Sequence, residues 1–126
     1  MKRLTALLLL AGALLAHHSW PGAYDLSTQL ILKGRLTKLA FKNPHVILTI
    51  ETKGSGEWLA ECTSADGMLR RGITEETFKL GDTFEIVGSP SRDPGKRVVA
   101  AIWEIRRPAD GMRWVQQEWT GPRVIE

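Results

Sequence analysis

Cysteine and histidine are scarce in this chain of 126 residues, and both scarcities limit its chemistry. Cys62 is the only cysteine, so no disulfide can form within the chain even in an oxidising compartment. Because Cys62 alternates with Ala60 and Trp58 in an apolar run, we expect a buried, unreactive thiol rather than a metal ligand. Histidine occurs at only three positions, which are His17, His18 and His45.

Catalytic motifs are also missing from the sequence. It contains no Gly-x-Ser-x-Gly turn for a serine nucleophile, no catalytic cysteine context and no glycine-rich phosphate loop. The one dense pair of acids, Glu75 and Glu76, follows Thr74 at the predicted start of a short helical turn. The helix dipole explains acids at that position without acid–base chemistry. We therefore expect a binding protein rather than an enzyme.

Residues 1–16 have the features of a removable signal peptide. Lys2 and Arg3 precede an apolar run that is too short to cross a bilayer, and Ala16 is a small residue at a suitable cleavage point. We expect cleavage after Ala16, although Ala11-Gly12-Ala13 offers a second small-x-small site. The protein is then periplasmic or secreted. Loss of the two basic residues lowers the formal net charge from +3 to +1, so the basic pI is weak evidence for nucleic-acid binding.

The rest of the sequence predicts an extended N-terminal arm over residues 17–27, an all-β domain over residues 28–115 and a C-terminal tail without a clear pattern over residues 116–126. We expect Trp20 and Tyr24 to attach the arm to the body of the protein. Period-two apolar runs predict strands at residues 28–41, 45–51, 58–63, 84–88 and 97–106, with a short extra strand at residues 112–115. Ser64 is placed to cap a short helix between the third and fourth strands. The order β1-β2-β3-α-β4-β5 is that of a small OB-like barrel, whereas a β-sandwich usually needs about seven strands.

Two strands carry finer signals. In the first strand the apolar positions shift by one after Thr37, which predicts a β-bulge, and Gly34 permits a bend nearby. The second strand places His45 on the face opposite to its apolar residues. The alternation in the fifth strand predicts four residues on one face, which are Val99, Ala101, Trp103 and Ile105.

Four short motifs stand out, which are His17-His18-Ser19, Asn43-Pro44-His45, Leu69-Arg70-Arg71-Gly72 and Leu80-Gly81-Asp82. In this combination, over about residues 16–110, the sequence resembles a family of small secreted bacterial proteins of unknown function. The resemblance implies an exported OB-like domain and no particular activity. This chain departs from the family at Leu59-Ala60-Glu61-Cys62, where members often carry an aromatic and an acidic residue, and the segment after Trp114 is extra.

The histidines suggest a metal site. Cleavage at the expected position makes His17 the N-terminal residue, whose amine and ring Nδ1 can chelate copper, and His45 or His18 then supplies a further nitrogen. Amine and imidazole nitrogens suit Cu(II) and also Zn(II), and either Asp25 or Glu61 is a candidate oxygen ligand. The competing interpretation is a flexible arm and a turn-capping His45, because paired histidines without complete ligand spacing are a weak signal.

Other binding residues follow from the predicted barrel. OB barrels often bind oligonucleotides or oligosaccharides on the face of their second and third strands, where Trp58 is the aromatic candidate. Arg70 and Arg71, with Arg106 and Arg107, are candidates for a basic patch, although solvated surface charge is the simpler explanation. Because that face has few aromatic and basic residues, we expect no nucleic-acid partner. The sequence thus predicts either a protein that binds copper or another divalent metal, or a metal-free module that binds an envelope protein.

Overall fold

The computed structural model describes residues 20–116 and the backbone of residues 123–125, and most of this part of the chain is β-structure. In chain order the elements are α1 (Trp20–Ala23), β1 (Gln29–Ala40), β2 (Ile47–Thr52), β3 (Gly56–Glu61), α2 (Ala65–Leu69), a 3₁₀ turn (Glu75–Thr77), β4 (Thr83–Pro90), β5 (Val98–Arg107), β6 (Met112–Val115) and β7 (Arg123–Ile125). The predicted mainly β fold, with a short helix between the third and fourth strands, is confirmed. Within the described ranges, no helix has the length and apolar character needed to span a bilayer.

The strands form one sheet in which β1 is the central element. β1 pairs antiparallel with both β2 and β4, β2 pairs with β3, and β4 pairs with β5. β5 also pairs parallel with β3 and antiparallel with β6, and β7 runs parallel to the start of β1. The spatial order β2-β3-β5-β4-β1-β7 therefore differs from the predicted order β1-β2-β3-α-β4-β5. The reason is that the chain crosses over through α2, so that β4 enters beside β1 and its antiparallel partner β5 takes the place next to β3.

β1 joins two parts of this sheet because it pairs with different strands along its length. Its first half pairs with β4 and its second half with β2, and the register with β2 slips between Leu36 and Lys38. The extra residue is Thr37, whose hydroxyl donates a hydrogen bond to the carbonyl oxygen of Thr49 at 3.3 Å. The bulge predicted at Thr37 is thus confirmed.

The core lies on the inward faces of these strands, and the leucine, isoleucine and phenylalanine side chains predicted to face inward between Leu30 and Leu36 in β1, in β2 and in β4 belong to it. Its most deeply buried side chains from these strands are Leu32, Leu36, Leu48, Ile50, Phe84 and Ile86, together with Val46 just before β2. Cys62, the residue after β3, is 2% exposed among them, and burial raises the pKa of its thiol. The expected buried cysteine is confirmed, and a thiol that stays protonated is a poor nucleophile.

β5 contains an irregularity that its alternation does not reveal. Ala101 has a positive φ of 45°, and β5 contributes more residues than β4 across a shift in their register. The core takes Val99, Ile102 and Ile105 from this strand, whereas Ala101 and Trp103 are half-buried outside it. The prediction that Ala101 and Trp103 share a face with Val99 and Ile105 was wrong, because the bulge resets the alternation.

The backbone at Ala101 gives a test of this bulge. We expect Ala101→Gly to raise the free energy of unfolding by about 1 kcal/mol. A left-handed residue with a Cβ costs about 1–2 kcal/mol, and glycine removes this strain. Part of the gain is offset because glycine gives the unfolded chain more conformational entropy. The matched control is Ala100→Gly, at a fully buried position, which we expect to lower it by about 1 kcal/mol. Urea unfolding measures both, and two changes of the same sign would contradict the left-handed conformation at Ala101.

Candidate functional site

A cavity of about 500 Å³ lies between the N-terminal segment, the corner before β2, the end of β3 and the bulge of β5. Its apolar walls include Trp20, Leu26, Pro44, Ile102 and Trp103. Its polar lining includes His45, Glu61, Ser64 and Gln116. Among the described residues that line it there is one acid, Glu61, and no lysine or arginine. The cavity is therefore electrostatically suited to a cation rather than an anion.

The corner before β2 is anchored to α2. The Asn43–Pro44 peptide bond is cis, and the side chain of Asn43 bonds twice to Asp66 in the first turn of α2. Asn43 Oδ1 accepts from the backbone N–H of Asp66 at 3.1 Å, and Asn43 Nδ2 donates to its carboxylate at 2.9 Å. Ser64 caps the same helix, as predicted, by accepting from the backbone N–H of Gly67 at 3.0 Å. The corner is thus held on one side by the hydrogen bonds between Asn43 and Asp66 and on the other by β2, which follows it.

His45 is held by the chain that leaves β3. Val46 donates its N–H to the carbonyl of Thr63 and accepts from the N–H of Cys62, so Val46 is buried and His45 points away from the core, as predicted. His45 Nδ1 lies 2.9 Å from the carbonyl oxygen of Cys62. Because a carbonyl can only accept, Nδ1 carries the hydrogen and the lone pair of the neutral ring is on Nε2. That Nε2 lies 3.6 Å from Oε1 of Glu61.

The two oxygens of Glu61 have different neighbours. Oε1 faces His45, and Oε2 accepts a hydrogen bond from the hydroxyl of Tyr24 at 3.2 Å. Burial, followed by the charge of Glu61 and this hydrogen bond, raises the pKa of Tyr24 to about 12. The hydroxyl therefore stays protonated near neutral pH and remains a donor to the carboxylate.

The N-terminal segment docks on this cluster through its aromatic residues. The ring of Trp20 packs edge-on against His45 with 6.0 Å between centroids, and it lies 5.5 Å from the ring of Tyr24. The expectation that Trp20 and Tyr24 attach this segment to the body of the protein is confirmed. The expected extended conformation was wrong at Trp20–Ala23, which forms one helical turn, closed by a hydrogen bond from the N–H of Tyr24 to the carbonyl of Trp20.

A model of the DUF6152 family, described as a family of unknown function, matches residues 6–101. The chain belongs to the DUF6152 family. The match includes Tyr24, His45 and Glu61, but the family description assigns them no role. No curated protein matches the sequence.

Of the predicted metal ligands, His45 lines the cavity of the DUF6152 chain, whereas His17 and His18 lie outside the described residues. Within the part of the chain that the structure describes, no three His, Cys, Asp or Glu side chains form a group that could hold a metal ion. Among the described lining residues, His45 is the one imidazole and Glu61 the one carboxylate. A complete metal site needs further ligands from elsewhere.

The structure separates the two candidate oxygen ligands. The carboxylate of Asp25 accepts from the backbone N–H and the hydroxyl of Ser27, at 3.1 and 2.6 Å, and from the hydroxyl of Thr28 at 2.9 Å. These hydrogen bonds, led by that of the Ser27 hydroxyl, hold the pKa of Asp25 below its usual value. Asp25 therefore stabilises a local turn, and Glu61 is the acid that lies beside His45.

The other predicted binding residues lie away from the cavity. Trp58 packs against the core, and its Nε1 donates to the hydroxyl of Ser55 at 2.9 Å, which is the environment of a structural tryptophan. Arg70 and Arg71 are exposed at the end of α2, and the guanidinium of Arg71 lies 5.8 Å from the ring centroid of Trp114. These three residues are not among the described residues that line the cavity of the DUF6152 chain.

The two remaining arginines of the predicted basic patch are neutralised by nearby acids. Arg106 forms ion pairs with Glu104 and Glu85, and Arg107 bonds to Asp110 through two of its nitrogens. Their positive charges are therefore balanced within the protein, which weakens any attraction of this pair for an external anion.

Sequence reasoning missed Trp103 as a lining residue, because it assigned that side chain to the core. The indole Nε1 of Trp103 donates to the hydroxyl of Ser89 at 3.3 Å, and the ring forms part of the cavity wall. The missing signal was the bulge at Ala101, and an alanine in an apolar run gives no sign of its backbone conformation.

Proposed function

We propose that this DUF6152 protein is an exported metal-binding protein, which holds copper or another divalent ion through His45 together with His17 and His18. The observation that carries the proposal is the orientation of His45. Histidines that bind metals use one ring nitrogen for the ion and donate the other N–H to a carbonyl or carboxylate. At His45, Nδ1–H donates to the carbonyl of Cys62, which leaves Nε2 available beside Glu61.

The position of Trp20 supports a shared ion. Trp20 contacts His45, and it follows His18 by two residues and His17 by three. Since three residues span at most about 11 Å of chain, the Cα atoms of both histidines are tethered within that distance of Trp20. A cavity whose described lining has one acid and no lysine or arginine has no permanent positive charge that would repel a cation.

We also propose that the protein is exported and that its sheet closes into an OB-like barrel. The pairings run from β1 through β2, β3, β5 and β4 back to β1, which supports a five-stranded OB-like barrel with β6 and β7 as additions. Cleavage after Ala16 would free the amine of His17 for the chelate described above. Cu(II) and Zn(II) both accept amine and imidazole nitrogens, so the ligand types fit either ion.

Titration with copper tests the proposal. The full chain is expressed for export, the mature protein is purified, and its Cu(II) affinity is measured by competition with a chelator of known affinity. We expect His45→Ala to weaken binding by about 100-fold or more, because losing even an outer partner of a metal ligand costs about 10–100-fold.

The matched control is Lys42→Ala, which changes an exposed residue of the same corner without removing a donor, and it should bind as the wild type does. Equal affinities for His45→Ala and the wild type would remove His45 from the site. Mass spectrometry of the mature protein identifies its first residue, and any residue other than His17 would rule out the amine chelate.

A further inference from the structure

We infer that Glu61 is the oxygen ligand of this metal site, and that Tyr24 is a positioning residue that holds the Glu61 carboxylate toward the ion. The inference rests on the proposed metal-binding function and names two residues of the same site. In the described part of the chain, Glu61 lies between His45 and Tyr24 and contacts both side chains.

The spacing of the two donors fits a single bridging ion. Zinc–nitrogen and zinc–oxygen bonds are about 2.0–2.2 Å long, so an ion bound to both His45 Nε2 and Glu61 Oε1, which are 3.6 Å apart, would make an N–metal–O angle of about 120°. That angle lies close to those of tetrahedral sites. The separation of the two atoms is therefore compatible with one shared ion, and it is too long for a direct hydrogen bond between them.

Glu61 is also the acid that remains free for this task. Among the residues that the structure describes, the ring of His45 is the nearest partner of Glu61 Oε1, and the Glu61 side chain is 28% exposed and lines the cavity. Asp25, the other candidate, is occupied by its bonds to Ser27 and Thr28. A half-exposed carboxylate keeps access to ions from solvent, and a carboxylate beside an imidazole is a common ligand pair for divalent transition metals.

Tyr24 fixes the orientation of Glu61 from the opposite side. Its hydroxyl bonds to Oε2, the oxygen that faces away from His45. Its backbone is anchored by the hydrogen bond to Trp20 and by a β-bridge to Ser91, so the donor has a defined position. A carboxylate held in this way loses less conformational freedom on binding an ion.

The experiment compares Cu(II) and Zn(II) binding by the mature wild-type protein, Glu61→Gln, Tyr24→Phe and the control Glu57→Gln. Glu57 is an exposed acid on the same strand, at the end remote from the cavity. We expect Glu61→Gln to weaken binding by about 10–100-fold and to change the electron paramagnetic resonance spectrum of bound Cu(II), because a neutral amide replaces the charged carboxylate ligand. We expect Tyr24→Phe to weaken binding by about 10-fold with an unchanged spectrum, because the ligand set is kept. Glu57→Gln should match the wild type.

The outcomes separate the inference from the function on which it rests. If the wild type binds neither ion, the proposed function is rejected and the inference falls with it. If the wild type binds and Glu61→Gln has the same affinity and spectrum, the metal function stands and Glu61 is not a ligand. Should Glu61→Gln fail to fold, Glu61→Asp withdraws the carboxylate by one methylene, and wild-type affinity in that variant would overturn the inference in the same way.

Discussion

Replacing Gly34 with alanine is expected to lower the free energy of unfolding by at least about 3 kcal/mol. A Cβ at this position would lie 2.8 Å from the carbonyl carbon of Glu51, closer still to its oxygen, and 2.9 Å from Cγ2 of Ile50. The side chain of Ile50 could turn away, but the backbone of Glu51 is held in the β1–β2 pairing. Because Gly34 pairs with both β2 and β4, relief of this clash disturbs the sheet where its two halves meet.

The matched control for this substitution is Gly54→Ala, in the turn between β2 and β3. A Cβ there would meet no atom within 4 Å, and we expect a change of no more than about 0.5 kcal/mol. Urea unfolding, followed by tryptophan fluorescence and circular dichroism, measures both variants. If Gly34→Ala were as stable as Gly54→Ala, the close approach of β2 to β1 at Gly34 would be wrong.

The features that the sequence predicted correctly depend on local chemistry. The bulge at Thr37 is visible because the apolar positions change phase there, and the Ser64 cap is visible because serine accepts from the first turn of a helix. The burial of Cys62 follows from its place in an alternating strand. In each case the residues that determine the structure lie within a few positions of one another.

The features that it missed depend on contacts between distant residues. Nothing within β3 or β5 specifies that Leu59 pairs with Val98, and this pairing decides the spatial order of the strands. β7 lies in a segment that showed no periodic pattern, and three residues are too few to give one. The reversal of alternation at Ala101 has a backbone cause, and side-chain patterns do not report a positive φ at alanine.

In the candidate site, too, the features set by local sequence were predicted and those set by contacts between distant residues were not. The outward direction of His45 follows from the phase of β2, and it was predicted. The sequence left the choice between Asp25 and Glu61 open. In the fold, the carboxylate of Asp25 accepts hydrogen bonds from its neighbours Ser27 and Thr28, whereas that of Glu61 lies beside His45. Tyr24 and Glu61 are 37 positions apart, so their hydrogen bond could only be recognised in the folded chain.

Glu104 on β5 is the most deeply buried acid among the described residues, and Glu104→Gln is expected to lower the free energy of unfolding by about 3 kcal/mol at neutral pH. Its side chain is 3% exposed and accepts from Nε and Nη2 of Arg106, at 2.5 and 2.8 Å, and from Nε of Arg113 at 2.5 Å. Glutamine keeps the shape but removes the charge that both guanidinium groups bind. The matched control is Glu85→Gln, a more exposed partner of Lys33 and Arg106, which should cost less than about 1 kcal/mol.

The contribution of Glu104 should also depend on pH with a definite sign. Burial opposes its ionisation, but the hydrogen bonds and charges of Arg106 and Arg113 outweigh burial and hold the pKa of Glu104 below the ordinary value of 4.5. A carboxylate with a lowered pKa in the folded state adds its full stability above the ordinary pKa and loses it as the pH falls through the folded value. Urea unfolding at pH 7 and about pH 3 should therefore show the wild type converging on Glu104→Gln in acid. A stability difference that stays constant over this range would mean that Glu104 is not stabilised as a carboxylate by its two arginines.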